Sequence, residues 1–532
     1  MARKLILAYV DSLRTDMLRA TIAEGRAPTL SRLVKRGTLI GDCVSSFPSV
    51  TPVASAEMVT GVAADGHWIP GMNWYHRVER RYVEYGSSIA ATRAFGFFRS
   101  LHDLVYNMNL AHLNPAAETV FETLDDRGIA TASTPFLIYR GRHRHDVSIA
   151  GIAGRAVEAG LLKFHYGTWG PKELFYGDLY SSMETPCKAT NVPGRRDPYS
   201  ACCAAELIAR DRFDFLLLSF PDNDNYSHRH GPEASGTSIE RVDIALAEVM
   251  RAAGGIGGFL ERYALILLAD HAHTAVDSEL DLIAWMRERW RVLGPSDDRP
   301  DKAELAVSPT SRAAHIYLLD RPDDPDALAR RHREVREHAA SLDGVELVAW
   351  TEDSGGLPIV ATPDRPGPIP EPAAVAVESY GRRLDFRPVE ASAPGRSGSG
   401  HRQRESGRET VRDRRGTSWS ISGNLEVLEG LVEDGVLRTP LYPDALGRLW
   451  SAALGPHSGD IMISAAPGFE CVDWGGVTHV PGGSHGSLRR EDSEGPLLFC
   501  GCGPDLEGAP RTAGAPWALR DIPGVIRNHF NT

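Results

Sequence analysis

Six carboxylate and imidazole side chains stand at turn-like positions, most of them directly after short apolar runs: Asp11, Asp224, His228, Asp270, His271 and His485. These are ligand types for borderline cations such as zinc, and a site built for catalysis leaves one coordination position open. Two such ions about 4 Å apart would clamp a phosphoryl group during in-line displacement. Asp224 and His228 are four residues apart, which sets both on one face of a helix or tight turn. Asp222 competes for the same role, but its spacing to His228 fits less well. A single Asp-His pair after a strand is more often an ordinary polar turn, so the set carries more weight than any member.

Thr51 is the candidate nucleophile. It lies in Phe47-Pro48-Ser49-Val50-Thr51-Pro52-Val53, ahead of the small residues Ala54, Ser55 and Ala56. A threonine before a proline at the first helical position is a common N-cap. The free N–H groups of a helix N-terminus also favour phosphate, and a hydroxyl held there beside a metal is a nucleophile. Both roles can hold together.

Chemistry of this kind needs elements that bring distant residues together. Leu5 to Val10 ends at Asp11, Phe213 to Phe220 ends just before Pro221-Asp222-Asn223-Asp224, and Tyr263 to Ala269 ends at Asp270-His271. Continuous apolar runs of this length suit strands buried on both faces, hence a largely parallel sheet covered by helices. Ligands in such sheets sit beyond the carboxyl ends of the strands, so acidic residues spread over roughly 260 positions would converge. Helices are expected from Ala27-Pro28 and over Ser238 to Ala253. Residues 66–200, rich in aromatics and polar side chains, read as loops and small elements capping a site. Residues 290–460 form a second block, within which 361–417 is dominated by Pro, Gly, Ser and Arg and is expected to bury little.

Composition narrows the classes. The 532 residues carry 70 Asp and Glu against 58 Lys and Arg, a formal charge of −12, which argues against gripping nucleic acid by counterion release. No apolar run approaches the roughly 18 residues of a spanning helix, and the first residues do not read as a signal peptide. Seven scattered cysteines show no disulfide spacing, which points to a reducing, cytoplasmic setting.

Taken together, these positions resemble the alkaline phosphatase superfamily, and within it the type I phosphodiesterase/nucleotide pyrophosphatase group. The resemblance rests on Asp11 in LAYVDSLR, Thr51 in FPSVTPVASAEMVTG, Asp224 and His228 in DNDNYSHRHGP, Asp270 and His271 in LLADHAH, and His485 in GSHGS, in that order. It implies an α/β core with a central, mostly parallel sheet, helices on both faces and cap insertions. The core would be written in two pieces, 1–290 and 460–532, around an inserted subdomain at 291–459. It also implies two zinc ions, with manganese as an alternative. Asp11, Thr51, Asp270 and His271 would hold one, and Asp224, His228 and His485 the other. Thr51 would attack phosphorus, forming a phosphothreonine that is then hydrolysed, on a small phosphate-ester substrate.

Departures from the group's pattern are specific. An asparagine usually follows a His-Gly-Ile run and binds a phosphate oxygen; in His67-Trp68-Ile69-Pro70-Gly71-Met72-Asn73, Asn73 falls one position late. Val50 precedes the nucleophile where many relatives have lysine, and no Cys-x-Pro-x-Arg sulfatase motif is present. His273 reads at most as a support for the ligands, and His230 as a surface histidine. Trp68, Trp74 and Tyr75 could stack on a base or aryl group, or simply pack under a cap. A phosphomonoesterase or phosphonate hydrolase on the same core, and a non-catalytic metal- or phosphate-binding relative, are the competing readings. An apolar slot beside Thr51 would favour diesters; a basic pocket, to which Arg140, Arg142 or Lys163 could contribute, would favour monoesters. No G-x-G-x-x-G follows the first strand, which disfavours a dinucleotide-binding oxidoreductase.

Overall fold

A computed structural model describes residues 3–146, 167–177, 179–297, 299–353, 359, 374–389, 408–503 and 514–531. Eight strands form the central sheet: β1 (Lys4–Val10), β2 (Thr38–Val44), β3 (Thr131–Ser133), β4 (Glu173–Tyr176), β5 (Tyr180–Ser181), β6 (Phe215–Phe220), β7 (Tyr263–Leu268) and β8 (Glu494–Cys500). Their order is β2-β8-β7-β1-β6-β3-β4-β5. β1 lies parallel to both β6 and β7, while β8 runs antiparallel to β7 and β2.

The apolar runs end up where their composition demands. Leu5, Leu7 and Tyr9 join a core on one face of the sheet, with the helices Thr51–Thr60, Val120–Asp125 and Ile522–His529. Ile6, Ala8 and Val10 join the core on the other, with Arg196–Ala209 and Gly236–Ala252. Each fully buried Leu or Ile contributes about 2 kcal/mol, so a strand with no polar face is stable only between two helical layers. The expected mostly parallel sheet with helices on both faces is therefore present. Register sets the site: Val10 pairs with Phe220 and Tyr9 with Leu268, which brings Asp11, Pro221 and Asp270 level at one edge.

Three expectations are corrected. The 66–200 region does not only cap the site, because β3, β4 and β5 belong to the central sheet. Within 361–417, Ala374–Ser379, Arg382–Pro388 and Glu409–Asp413 are strands of a second, ten-stranded sheet. The Pro, Gly, Ser and Arg average conceals short runs such as AVAVES, whose first four residues are buried. The rest of that segment, 361–373 and 390–407, lies outside the described residues. The second sheet also takes in Ile461–Ala465, just past the boundary drawn at 460, because a short apolar run does not reveal which sheet it joins.

Cys187 and Cys202 form a disulfide, so the cysteine pattern does not support a reducing compartment. Spacing gave no hint of it, since the pair is made by Arg196–Ala209 packing against the preceding loop. Among the described residues no helix is long and apolar enough to cross a membrane.

Glu57, in the buried helix Thr51–Thr60, is 2% exposed, and its Oε2 has no hydrogen-bond partner. Burial pushes its carboxyl up to about 7, against the pull of Arg520 and Arg448. An unfolded glutamate titrates near 4.3, so the unfolded chain releases this proton first. The contribution of Glu57 is thus complete below about pH 4 and is lost as pH rises through 7. Glu57→Gln is expected to match wild type at pH 4.5 and to be more stable by about 3 kcal/mol at pH 8, read by urea unfolding. A difference that does not change with pH would contradict this.

Candidate active site

Two clusters of ligand-type groups meet at the carboxyl edge of the central sheet. Asp11, Asp270 and His271 form one, and Asp224, His228, His273 and His485 the other; within each, the ligand atoms lie within 4.8 Å of one another. Asp11 leaves β1, and Asp270 and His271 leave β7, so all three follow from strand register. Asp224 and His228 sit one turn apart on the helix Asp222–His230, with His228 Nε2 3.3 Å from Asp224 Oδ1. His485 arrives on a glycine-rich loop, its Nε2 3.7 Å from Asp224 Oδ1.

Two of the imidazoles are aimed by their second nitrogens. His228 Nδ1 donates to the Gly483 carbonyl at 2.7 Å and His485 Nδ1 to the Ser49 carbonyl at 2.8 Å. That leaves both Nε2 lone pairs facing the cluster. Ser49 also fastens the nucleophile segment to the His485 loop: its N–H donates to Gly486 O at 3.3 Å, and its Oγ to Ser487 O at 2.9 Å. Gly486 is obligatory there, because φ is +118° and a Cβ would lie 2.9 Å from the Arg312 nitrogen. Arg312 Nη1 in turn grips Asp492 at 2.6 and 2.7 Å, a buried pair tying the second sheet to this loop.

Thr51 is the first residue of its helix rather than its cap. Val50 holds the N-cap position and no side chain caps the helix, so the expected capping role is not met. The Thr51 hydroxyl instead faces His271 Nε2 at 3.3 Å, and Asp270 Oδ2 approaches the same nitrogen at 3.2 Å. The nucleophile candidate therefore stands in the first cluster, while the His271 and His485 rings stack at 3.8 Å across the two.

The electrostatics call for cations. Burial raises the Asp11 carboxyl well above its usual range, and Asp270 and Asp224 push it further. Burial also raises Asp270. Asp224 is opposed by burial but held far below its usual value by His228 and His273. Three crowded carboxylates, Asp11 and Asp270 buried and Asp224 half-buried, with open imidazole nitrogens form a donor set that fits a divalent ion at each cluster.

Several supporting residues carried no sequence signal beyond adjacency. Ser12 Oγ donates to Asp224 Oδ1 at 2.8 Å, and its N–H donates to Asp270 Oδ1 at 3.1 Å, bridging the clusters. The Tyr9 hydroxyl donates to Asp270 Oδ2 at 3.2 Å. His273 Nε2 lies 3.0 Å from Asp224 Oδ1. Burial drives its pKa down to about 3, so a neutral ring donates to the carboxylate. His479 stacks on His228 at 3.7 Å, and its Nδ1 bonds Glu470 Oε1 at 2.7 Å. Only its place six residues before His485 in a glycine-rich stretch could have drawn attention to it.

Other candidates lie elsewhere. Asn73 is corrected: it sits in the hairpin Asn73–His76 with Arg81–Glu84, its Nδ2 donating to Val83 O at 2.9 Å and Glu84 Oε2 at 3.2 Å. The extra residue in its run puts Met72, not Asn73, on the cavity wall beside Thr51. Asp222 braces the helix Arg196–Ala209, accepting from the Arg196 and Asp197 backbone at 2.9 and 3.0 Å. Trp74 is fully buried and stacks on His457 at 4.5 Å, Trp68 meets His457 edge-on, and Tyr75 is buried against Tyr82 and Tyr317. None of the three lines the cavity. Arg140 is buried on Glu122 and backbone carbonyls, Arg142 pairs with Glu118 and Asp126, and Lys163 lies outside the described residues. His230 is exposed against Tyr226.

A cavity of about 660 Å³ opens over the clusters, lined by Asp11, Thr51, Asp224, His228 and His485 at its floor. Its remaining lining is mostly apolar and aromatic, including Tyr85, Phe97, Phe98, Leu101, Leu104, Phe136 and Leu137. Arg196 is the one guanidinium or ammonium among the described lining residues, and it is paired with Asp222 at 2.9 Å.

Paired carboxylate-imidazole clusters flanking a hydroxyl at the strand ends define a candidate binuclear metal centre on an alkaline-phosphatase-like fold. The chain belongs to the type I phosphodiesterase / nucleotide pyrophosphatase family, which residues 5–372 match. Among solved structures it is similar to human ectonucleotide pyrophosphatase / phosphodiesterase 5, with 13% identity, a TM-score of 0.52, and 99% of this chain and 95% of that one covered. Phosphonoacetate hydrolase from Sinorhizobium meliloti 1021, in complex with phosphonoformate, is 16% identical at a TM-score of 0.50, covering 99% and 96%. The murine phosphodiesterase 5, as an inactive threonine-to-alanine variant in complex with AMP, is 12% identical at 0.52, covering 99% and 95%. No curated protein matches the sequence. Family membership makes the chain a metal-dependent hydrolase of phosphoric esters.

Proposed function

We propose that the protein is a phosphodiesterase that works through a Thr51 phosphoenzyme with a zinc ion at each cluster. Asp11, Asp270, His271 and the Thr51 hydroxyl would hold one ion, and Asp224, His228 and His485 the other. When bound, the ions lower the pKa of the Thr51 hydroxyl and stabilise negative charge on the departing oxygen. Thr51 Oγ forms a bond to phosphorus as the bond to the leaving alkoxide breaks, and water then cleaves the phosphothreonine. Tyr9, Ser12 and His273 keep the ligating carboxylates oriented.

The observation that carries the diester reading is the cavity lining. A monoester dianion brings a second charge, yet the one guanidinium among the described lining residues, Arg196, is spent on Asp222. An apolar wall accepts a second ester substituent instead.

The test is metal analysis with hydrolysis of methyl p-nitrophenyl phosphate, p-nitrophenyl phosphate and phosphonoacetate. The expected result is about two ions per chain and a preference for the diester of at least roughly tenfold in kcat/KM, a difference of about 1.4 kcal/mol. Faster turnover of the monoester or the phosphonate would overturn the diester reading.

A further inference from the structure

A third group of ligand-type side chains stands apart from the two catalytic clusters. His76, Glu79 and His112 bring their donor atoms within 4.8 Å of one another, and they share no residue with the catalytic clusters. Two elements supply them. His76 ends the strand Asn73–His76 and Glu79 follows in the hairpin turn, with His76 Nε2 3.9 Å from Glu79 Oε1. His112 closes the π-helix Asp103–His112, an irregular winding of the kind that recurs at functional sites.

The chemistry of the group is that of a cation site. His112 is 1% exposed, and its Nε2 has no hydrogen-bond partner among the described residues, although buried polar atoms are almost always paired. Its other nitrogen, Nδ1, stands 2.7 Å from the Tyr85 hydroxyl. A ligating histidine needs this arrangement: Nδ1–H donates to the tyrosine oxygen, and the Nε2 lone pair is left for a metal. Burial lowers the pKa of both His76 and His112, so the two imidazoles stand beside Glu79 as neutral rings. The adjoining guanidinium of Arg81 is already matched. It binds Asp103 at 2.7 and 2.9 Å and Glu79 Oε2 at 2.6 Å, which leaves Glu79 Oε1 on the side of His76. His76 Nδ1 accepts the exposed Glu79 N–H at 3.0 Å; when Nε2 ligates, Nδ1 takes the ring proton and that N–H turns to water.

We infer that His76, Glu79 and His112 bind a further divalent cation of the zinc type, which pins the hairpin to the π-helix. Donors around zinc at about 2.1 Å stand about 3.4 Å apart, so the three close by about 1 Å, within reach of the long, exposed Glu79 side chain. Tyr85 also lines the catalytic cavity, so the ion braces a wall of that cavity through His112. The inference does not depend on the phosphodiesterase reading.

The experiment is equilibrium dialysis of the desalted full chain against zinc, with wild type, His76→Ala and Glu79→Gln. One ligand of the ion is exposed, so it leaves on desalting and returns with added zinc. Wild type is expected to take up about one ion per chain that His76→Ala does not, and Glu79→Gln to bind it at least about tenfold more weakly. Glu79 lies at the surface, so its variant keeps the fold. Added zinc should raise the thermal midpoint of wild type by mass action and that of the variants less. Only the difference between wild type and variants is read, so the result stands whether or not the binuclear centre holds zinc. Equal uptake by the three proteins, including no uptake by any, overturns the inference.

Discussion

Thr51→Ala is expected to lower diester turnover by at least about a thousandfold while leaving the fold and the metal content nearly unchanged. The separation follows from the geometry. The Thr51 hydroxyl makes no capping bond, and among the described residues its side-chain partner is His271 Nε2 at 3.3 Å. Its removal therefore costs the helix little, about 1 kcal/mol at most. The other three groups of its cluster, Asp11, Asp270 and His271, stay in place. Thr51→Ser keeps an oxygen at the same position and should retain activity to within about a hundredfold. Acid quench of wild type during turnover, followed by mass spectrometry, should find a phosphoryl adduct on the peptide containing Thr51 and none in the alanine variant. If Thr51→Ala hydrolyses methyl p-nitrophenyl phosphate within tenfold of wild type, nucleophilic attack by Thr51 is excluded.

The parts of the site that could be read from sequence are those fixed by short-range rules. An apolar run ending in Asp marks a buried strand and its carboxyl end, so Asp11 and Asp270 fall level once β1 and β7 pair in parallel. Asp224 and His228 needed only the four-residue helical spacing. His485 could be placed by motif alone, because it reaches the site through a loop whose position depends on Ser49, Gly486 and Arg312. What escaped notice depends on long-range packing. Ser12 bridges both clusters across contacts of 212 and 258 positions. Asn73 has the right residue type, but the hairpin with Arg81–Glu84 turns its amide onto Glu84. Trp74 is drawn into a ring stack with His457, from a segment nearly 400 residues away. The apolar slot is written in Phe97, Phe98, Leu101 and Leu104, a spacing that reads equally well as a helix packed on a core.

Asp224→Asn should remove the ion of the second cluster, and the neighbouring Asp222→Asn should not. Asp224 Oδ1 is the point on which that cluster converges: Ser12 Oγ at 2.8 Å, His273 Nε2 at 3.0 Å, His228 Nε2 at 3.3 Å and His485 Nε2 at 3.7 Å. It is also the carboxylate that its surroundings keep most firmly ionised, through His228 and His273. An amide of the same size keeps the shape and loses the charge. Replacing a ligand should cost more than the roughly 10 to 100-fold in affinity that losing a supporting hydrogen bond costs. The ion count should fall from about two to about one per chain, and kcat/KM by about a thousandfold, since nothing then stabilises the departing oxygen. Asp222 sits two positions earlier but holds Arg196 and the backbone of its helix. Breaking that largely buried pair should cost about 3 kcal/mol of stability and leave the ion count at wild type. Metal analysis beside thermal unfolding distinguishes the two. An Asp224→Asn protein that still holds both ions at wild-type affinity would remove Asp224 from the metal site and leave His228 and His485 without the anion that makes their cluster a cation site.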